Sequence, residues 1–129
     1  MALILIADDD EIVGEVVREA LSARGHVVGV VGNGADAVRV VELKRPAVVI
    51  LDCAMPEMNG IEALRRIRLS PTAHRTPVLM LTGRRSDLDK DIAFRAGATE
   101  YLKKPFDADQ LVAIVEDLIS KKSNPQTDF

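Results

Sequence analysis

The stretch LILIADDDE, residues 3–11, places five apolar residues directly before four acidic ones. An uninterrupted apolar run of this length predicts a strand that is buried on both faces. Asp10 suits the N-cap of a following helix and Glu11 its first turn, where acidic side chains favour the helix dipole. Asp8 and Asp9 have no such local explanation. Because adjacent carboxylates repel each other, their placement implies a positive partner.

Similar apolar runs recur along the chain, and amphipathic segments separate them. Further strands are predicted at residues 26–31, 47–51, 77–82 and 99–103, the last being shorter, more polar and therefore suited to an edge. Helices are predicted to begin near residues 10, 35, 60, 86 and 107; the apolar face of the first comprises Val13, Val16, Val17, Ala20 and Leu21. Alternation of this kind predicts right-handed crossovers and a doubly wound parallel sheet, an α/β fold.

Length and composition favour one domain with a sizeable core. We expect that domain at residues 1–122, followed by a polar tail or the start of a linker at residues 123–129. The single cysteine, Cys53, excludes an intrachain disulfide and favours a reducing, cytoplasmic setting. A net charge of −3 argues against electrostatic binding of nucleic acid. No apolar stretch is long enough to span a bilayer, so we expect no membrane partner.

Polar side chains follow the predicted strands where ligands bind in doubly wound sheets, at the carboxyl ends. These residues are Asp8 and Asp9 after the first strand, Asp52 after the third, Thr82 at the end of the fourth, and Lys103 and Lys104 at the end of the fifth. Three carboxylates without histidine or cysteine partners favour a hard cation, most often Mg²⁺. With a lysine and a hydroxyl nearby, this set suits phosphoryl transfer, and Asp52, after the central apolar strand, is the best nucleophile candidate.

The motifs IADDDE, ILDCAMPEMNG, MLTG and AGATEYLKKPF, in this order, resemble those of the response regulator receiver domains of bacterial two-component signalling, the chemotaxis regulators among them. The resemblance covers about residues 2–121. It implies a flavodoxin-like (βα)5 sheet with strand order 2-1-3-4-5 and helices on both faces. It also implies a cytoplasmic phosphorelay module that catalyses only its own phosphorylation and dephosphorylation, and so is not an enzyme with a diffusible substrate.

The resemblance assigns roles to the residues at the strand ends. Asp52 would accept a phosphoryl group from a phosphohistidine of a sensor histidine kinase or a histidine phosphotransfer protein. Mg²⁺, with Mn²⁺ as an alternative, would be bound by the carboxylates of Asp8, Asp9 and Asp52 and by the backbone carbonyl of Ala54. Lys104 would pair with the phosphoryl group, because the lysine of the family directly precedes a proline through a bond that is typically cis.

The resemblance further implies a switch. Thr82 would turn its hydroxyl toward the phosphoryl group, and Tyr101 would follow by moving inward, changing a surface on the fourth helix, fifth strand and fifth helix for a downstream protein. Ala54 and Arg84 would flank the phosphoryl group; since Ala54 offers no hydrogen bond and Arg84 could screen the group, we expect a long-lived phosphorylated state. A monomer and a phosphorylation-dependent dimer both remain open.

Two other functions fit part of the pattern. Haloacid-dehalogenase-like phosphatases use an aspartate, a threonine, a lysine and magnesium, but their nucleophile follows the first strand and a second aspartate lies two residues later, where this chain has Ala54. A phosphorylation-independent interaction domain is disfavoured because none of the expected site residues is missing. The sequence leaves open whether the domain acts alone or within a longer protein.

Overall fold

The structure, a computed structural model, describes residues 1–83 and 87–122, in which five strands alternate with five helices. The strands are β1 Leu3–Ala7, β2 Val27–Val31, β3 Val48–Asp52, β4 Val78–Thr82 and β5 Glu100–Lys103. The helices are α1 Glu11–Ser22, α2 Gly34–Lys44, α3 Gly60–Leu69, α4 Asp87–Ala96 and α5 Ala108–Lys122. None of these helices is long and apolar enough to cross a membrane.

The strands form one parallel sheet in the order β2-β1-β3-β4-β5, which confirms the predicted fold and places β5 at an edge. Every residue of β3 and β4 is buried, as their uninterrupted apolar sequences predict. The register pairs Asp52 with Leu81 and Thr82 with Lys103. The carboxyl ends of the strands therefore lie side by side along one edge of the sheet.

Successive side chains of each strand enter two different cores, one on each face of the sheet. Ile4 and Ile6 of β1 pack in a cluster with Leu21 of α1 and Leu111 of α5. Leu5 of the same strand joins the opposite cluster, to which α2, α3 and α4 contribute Ala37, Val41, Leu64 and Ala93. Helices therefore cover both faces, as predicted.

The helix starts follow from side chains that cap exposed backbone N–H groups. Asp10 accepts hydrogen bonds from the N–H groups of Ile12 and Val13, which confirms it as the N-cap of α1. Asn33 caps α2, so that helix begins one residue before the predicted start. Ser86, the predicted start of α4, and the predicted tail at residues 123–129 lie outside the described residues.

Arg68, near the end of α3, binds two other segments of the chain through its guanidinium group. Its Nε donates to the carbonyl of Gly97 at 2.9 Å, its Nη1 to the carbonyl of Thr76 at 2.7 Å, and its Nη2 to the hydroxyl of Thr99 at 3.3 Å. Burial lowers the pKa of Arg68. The side chain thus connects α3 to the start of β4 and to the turn between α4 and β5.

We predict that Arg68→Met lowers the free energy of unfolding by about 2–4 kcal/mol, because two part-buried carbonyls, those of Gly97 and Thr76, lose their donor at once. Urea unfolding followed by circular dichroism measures the change. Arg66→Met is the matched control: Arg66 lies on the same helix, is largely exposed, and has only a 4.0 Å pairing with Glu62. It should change stability by less than about 0.5 kcal/mol. Equal losses in the two variants would contradict the role of Arg68.

Candidate functional site

Three carboxylates converge at the carboxyl edge of the sheet. Asp8 directly follows β1, Asp9 comes next, and Asp52 is the last residue of β3. Each of them offers a carboxylate oxygen, and these oxygens lie within 4.8 Å of one another. Asp8 and Asp52 are buried, whereas Asp9 is exposed. The structure therefore brings together the three acidic residues that the sequence placed at the strand ends.

Lys104 brings a positive charge to this cluster from the end of β5. Its Nζ donates a hydrogen bond to Asp8 Oδ2 at 2.8 Å and lies 3.4 Å from Asp52 Oδ1. The preceding residue, Lys103, is exposed on the edge strand. Of the two neighbouring lysines, Lys104 is thus the one that reaches the carboxylates. The bond between Lys104 and Pro105 is cis, in agreement with the family pattern.

Burial and the neighbouring negative charge both affect the ionisation of Asp52. Burial, with the neighbouring charge of Asp8, raises the pKa of Asp52 to about 6, although Lys104 and the backbone N–H of Ala54 act in the opposite direction. Burial also acts to lower the pKa of Lys104, but its hydrogen bond to Asp8 and the charges of both carboxylates outweigh that effect and raise it. Three carboxylates against one ammonium leave two negative charges in excess.

The donor set fits a hard divalent cation. All three groups provide carboxylate oxygens, which Mg²⁺ prefers over nitrogen or sulfur ligands. A divalent cation also carries the charge that would neutralise the excess. Asp8, Asp9 and Asp52 are therefore the residues of this chain that could hold Mg²⁺ at the edge of the sheet.

The start of α3 presses against the end of β3 and fixes the backbone of Asp52. The N–H of Gly60 donates to the carbonyl of Cys53 at 3.0 Å. A Cβ atom at Gly60 would lie 2.1 Å from the carbonyl oxygen of Asp52, so only glycine allows this approach. Ala54, exposed in the loop between them, offers only its methyl group as a side chain next to the carboxylates.

Thr82 and Tyr101, the expected switch pair, are in contact. The buried Thr82 Oγ1 donates a hydrogen bond to the hydroxyl of the half-buried Tyr101 at 2.7 Å. The backbone N–H of Lys104 donates to the carbonyl of Thr82 at 2.7 Å, which fixes this pair next to the acidic cluster. Tyr101 thus already lies inward in this structure. Arg84, expected to flank the same site, lies outside the described residues.

Two features near the site could not be predicted from the sequence. The ring of Phe94, from α4, lies 6.3 Å from the ring of Tyr101. A single aromatic residue on a helix forms no sequence pattern from which such a contact could be predicted. An open groove of about 840 Å³ lies beside Lys104 and includes Ile12, Val16 and Phe106. Val16, on the apolar face of α1, is 46% exposed and faces this groove rather than the core.

The fold and the site together define a parallel α/β domain with an acidic pocket and a lysine at the carboxyl ends of its strands. The family model of the response regulator receiver domain matches residues 4–116, and the chain belongs to this family. The resemblance stated from the sequence motifs is therefore confirmed.

Relatives and solved structures agree with this assignment. The chain is 37% identical over 120 residues to the response regulator MprA of Mycobacterium sp. (strain KMS), a match that covers 93% of this chain and 51% of that protein. The chain thus spans about half the length of the curated relatives it matches. The receiver domain of the sensor histidine kinase PA1611 from Pseudomonas aeruginosa PAO1, solved with a magnesium ion in its active-site cleft, superposes with a TM-score of 0.86 at 31% identity, over 92% of this chain and 98% of that one. The chemotaxis response regulator CheY4 of Vibrio cholerae gives a TM-score of 0.85 at 31% identity with the same coverage.

We predict that Asp52→Asn stabilises the protein when a chelator keeps it free of divalent cations. The pKa of Asp52 is about 6 in the folded protein, against a reference of 3.8. Ionisation of Asp52 therefore costs stability as the pH rises from about 4 to 6, and the asparagine variant does not bear that cost. The variant should gain about 1–3 kcal/mol at pH 7.5 and nothing below about pH 4.

Urea unfolding at several pH values measures this difference. Asp9→Asn serves as the control, since Asp9 is exposed and its replacement should have a smaller effect. A loss of stability in Asp52→Asn at pH 7.5, or a gain that does not change with pH, would contradict the raised pKa of Asp52.

Proposed function

We propose that this chain is the phosphoacceptor of a two-component relay and that Asp52 receives the phosphoryl group from a phosphohistidine. The donor is a sensor histidine kinase or a histidine phosphotransfer protein. The observation that carries the proposal is the convergence of the buried Asp52 carboxylate with Asp8 and the Lys104 ammonium at the end of the central strand. Membership of the receiver family adds independent support.

The chemistry is an attack of one carboxylate oxygen of Asp52 on phosphorus. A P–O bond forms, the P–N bond to the donor imidazole breaks, and the electron pair of that bond stays on the imidazole nitrogen. Lys104, whose Nζ lies 3.4 Å from Asp52 Oδ1, is close enough to neutralise charge on the phosphoryl oxygens. Mg²⁺, or Mn²⁺ in its place, supplies further charge neutralisation when bound by Asp8, Asp9, Asp52 and the carbonyl of Ala54.

The donor protein must approach Asp52 from the open edge of the sheet. The groove lined by Ile12, Val16 and Phe106 lies on that side, next to Lys104. Ile12 is 76% exposed and Val16 46% exposed, so neighbouring apolar side chains of α1 lie open in this groove, as at surfaces that bind other proteins. We assign this groove to the docking of the donor, in the cytoplasm, without a membrane or nucleic acid as a partner.

The output follows from the Thr82–Tyr101 pair. After transfer, the hydroxyl of Thr82 interacts with the phosphoryl group, and Tyr101 adjusts on β5. This change alters the surface formed by α4, β5 and α5, which binds a downstream protein. We expect dephosphorylation to be slow because Ala54 provides no hydrogen bond for an attacking water.

We predict that incubation with Mg²⁺ and acetyl phosphate adds one phosphoryl group to the wild-type chain, and that intact-protein mass spectrometry detects it. Asp52→Asn and wild type with excess chelator should show no addition. Asp107→Asn, an acidic residue after β5 and outside the cluster, is the matched control and should accept phosphate normally. A cognate receiver that rejects small donors will still accept from a phosphohistidine protein, so failure with both donors would contradict the function.

We predict that the phosphorylated wild-type protein persists far longer than seconds after the donor is removed. Ala54→Gln should shorten its lifetime by about three- to ten-fold, because a polar side chain beside the phosphoryl group can orient the attacking water. The time course of intact mass measures the decay. Glu57→Gln, in the same loop, should leave the decay unchanged. Wild-type decay within seconds would contradict the proposal.

A further inference from the structure

The side chain of Tyr101 is held from two sides. On its inner side, the hydroxyl accepts the hydrogen bond from Thr82 at 2.7 Å, and the ring packs against the core that α2, α3 and α4 cover. On its outer side, the ring of Phe94 lies 6.3 Å away, centroid to centroid, at an interplanar angle of 42°. This distance and tilt fall within the range in which aromatic rings attract each other.

Phe94 is itself 42% exposed, so its own burial in the core does not explain its presence. The backbone next to Phe94 is held by two hydrogen bonds. The N–H of Gly97 donates to the carbonyl of Phe94 at 3.1 Å, and the carbonyl of Gly97 accepts from Arg68 at 2.9 Å. The ring of Phe94 therefore lies at a helix end that Arg68 connects to α3, while Tyr101 lies on an edge strand.

We propose that Phe94 is a positioning residue that holds Tyr101 inward and keeps the Thr82–Tyr101 contact closed before any phosphoryl group is present. Loss of the ring removes the contact on that side and so opens an outward position for Tyr101. The consequence for signalling rests on the proposed function. Before phosphorylation, Phe94 sets how often Tyr101 lies inward, and thereby the conformation of the α4-β5-α5 surface. The contact itself does not depend on phosphorylation.

The composition of the chain makes this testable. Tyr101 is the only tyrosine and there is no tryptophan, so the intrinsic fluorescence of the protein comes from this one switch residue. Quenching by acrylamide, without phosphodonor or Mg²⁺, measures how accessible Tyr101 is to solvent. We expect Phe94→Ala to raise the quenching constant by about two- to five-fold, and Phe94→Leu, which keeps apolar bulk but removes the ring, to give an intermediate value.

Leu69→Ala is the matched control, because Leu69 is an exposed apolar residue on α3, and it should leave the quenching of Tyr101 unchanged. Circular dichroism verifies the fold of each variant; if Phe94→Ala does not fold, Phe94→Leu decides. Quenching at the wild-type value in the folded Phe94 variants would overturn the proposal. Phosphoryl acceptance is measured separately by intact mass, so a failure of the proposed function leaves this comparison valid.

Discussion

The ion pair between Lys104 and Asp8 is the contact on which the carboxyl edge of the sheet depends. The two residues follow β5 and β1, which are not neighbours, since β3 and β4 lie between them. The lysine side chain must therefore cross the ends of two strands to reach Asp8 at 2.8 Å, and in doing so it passes 3.4 Å from Asp52. One side chain thereby joins both halves of the sheet over its central strand, and a carboxylate pair that would otherwise repel acquires a shared partner.

The same pair leaves the site short of positive charge, which a divalent cation would supply. Here burial and Asp8 raise the pKa of Asp52 to about 6, so Asp52 is ionised at neutral pH although ionisation is costly. Groups with displaced pKa values concentrate at functional sites, because reactive groups need pKa values that suit their chemistry.

Much of the fold and the acidic cluster could be predicted because both depend on local sequence and one rule of topology. Uninterrupted apolar runs identify buried parallel strands, and the carboxyl ends of such strands meet at one edge, so Asp8, Asp52 and one of the lysines 103 and 104 were expected there. The family resemblance supplied the strand order and the choice of Lys104. The groove beside α1 could not be predicted in the same way. Val16 fits the apolar period of its helix, but whether that position is covered depends on how the loop with Phe106 folds across it.

The hydrogen bond between Thr82 and Tyr101 constrains how a switch at this position can work. The Thr82 hydroxyl has one proton, and it is donated to the oxygen of Tyr101. A phosphoryl oxygen on Asp52 that recruited Thr82 would take this proton for itself. The contact with Tyr101 could then persist only if the tyrosine hydroxyl became the donor and the oxygen of Thr82 the acceptor. If Thr82 and Tyr101 stay in contact both before and after phosphorylation, the two states would therefore differ in which hydroxyl donates the hydrogen bond rather than in the distance between the oxygens. How strongly Phe94 holds the tyrosine ring would then decide whether the contact survives this exchange of donor and acceptor.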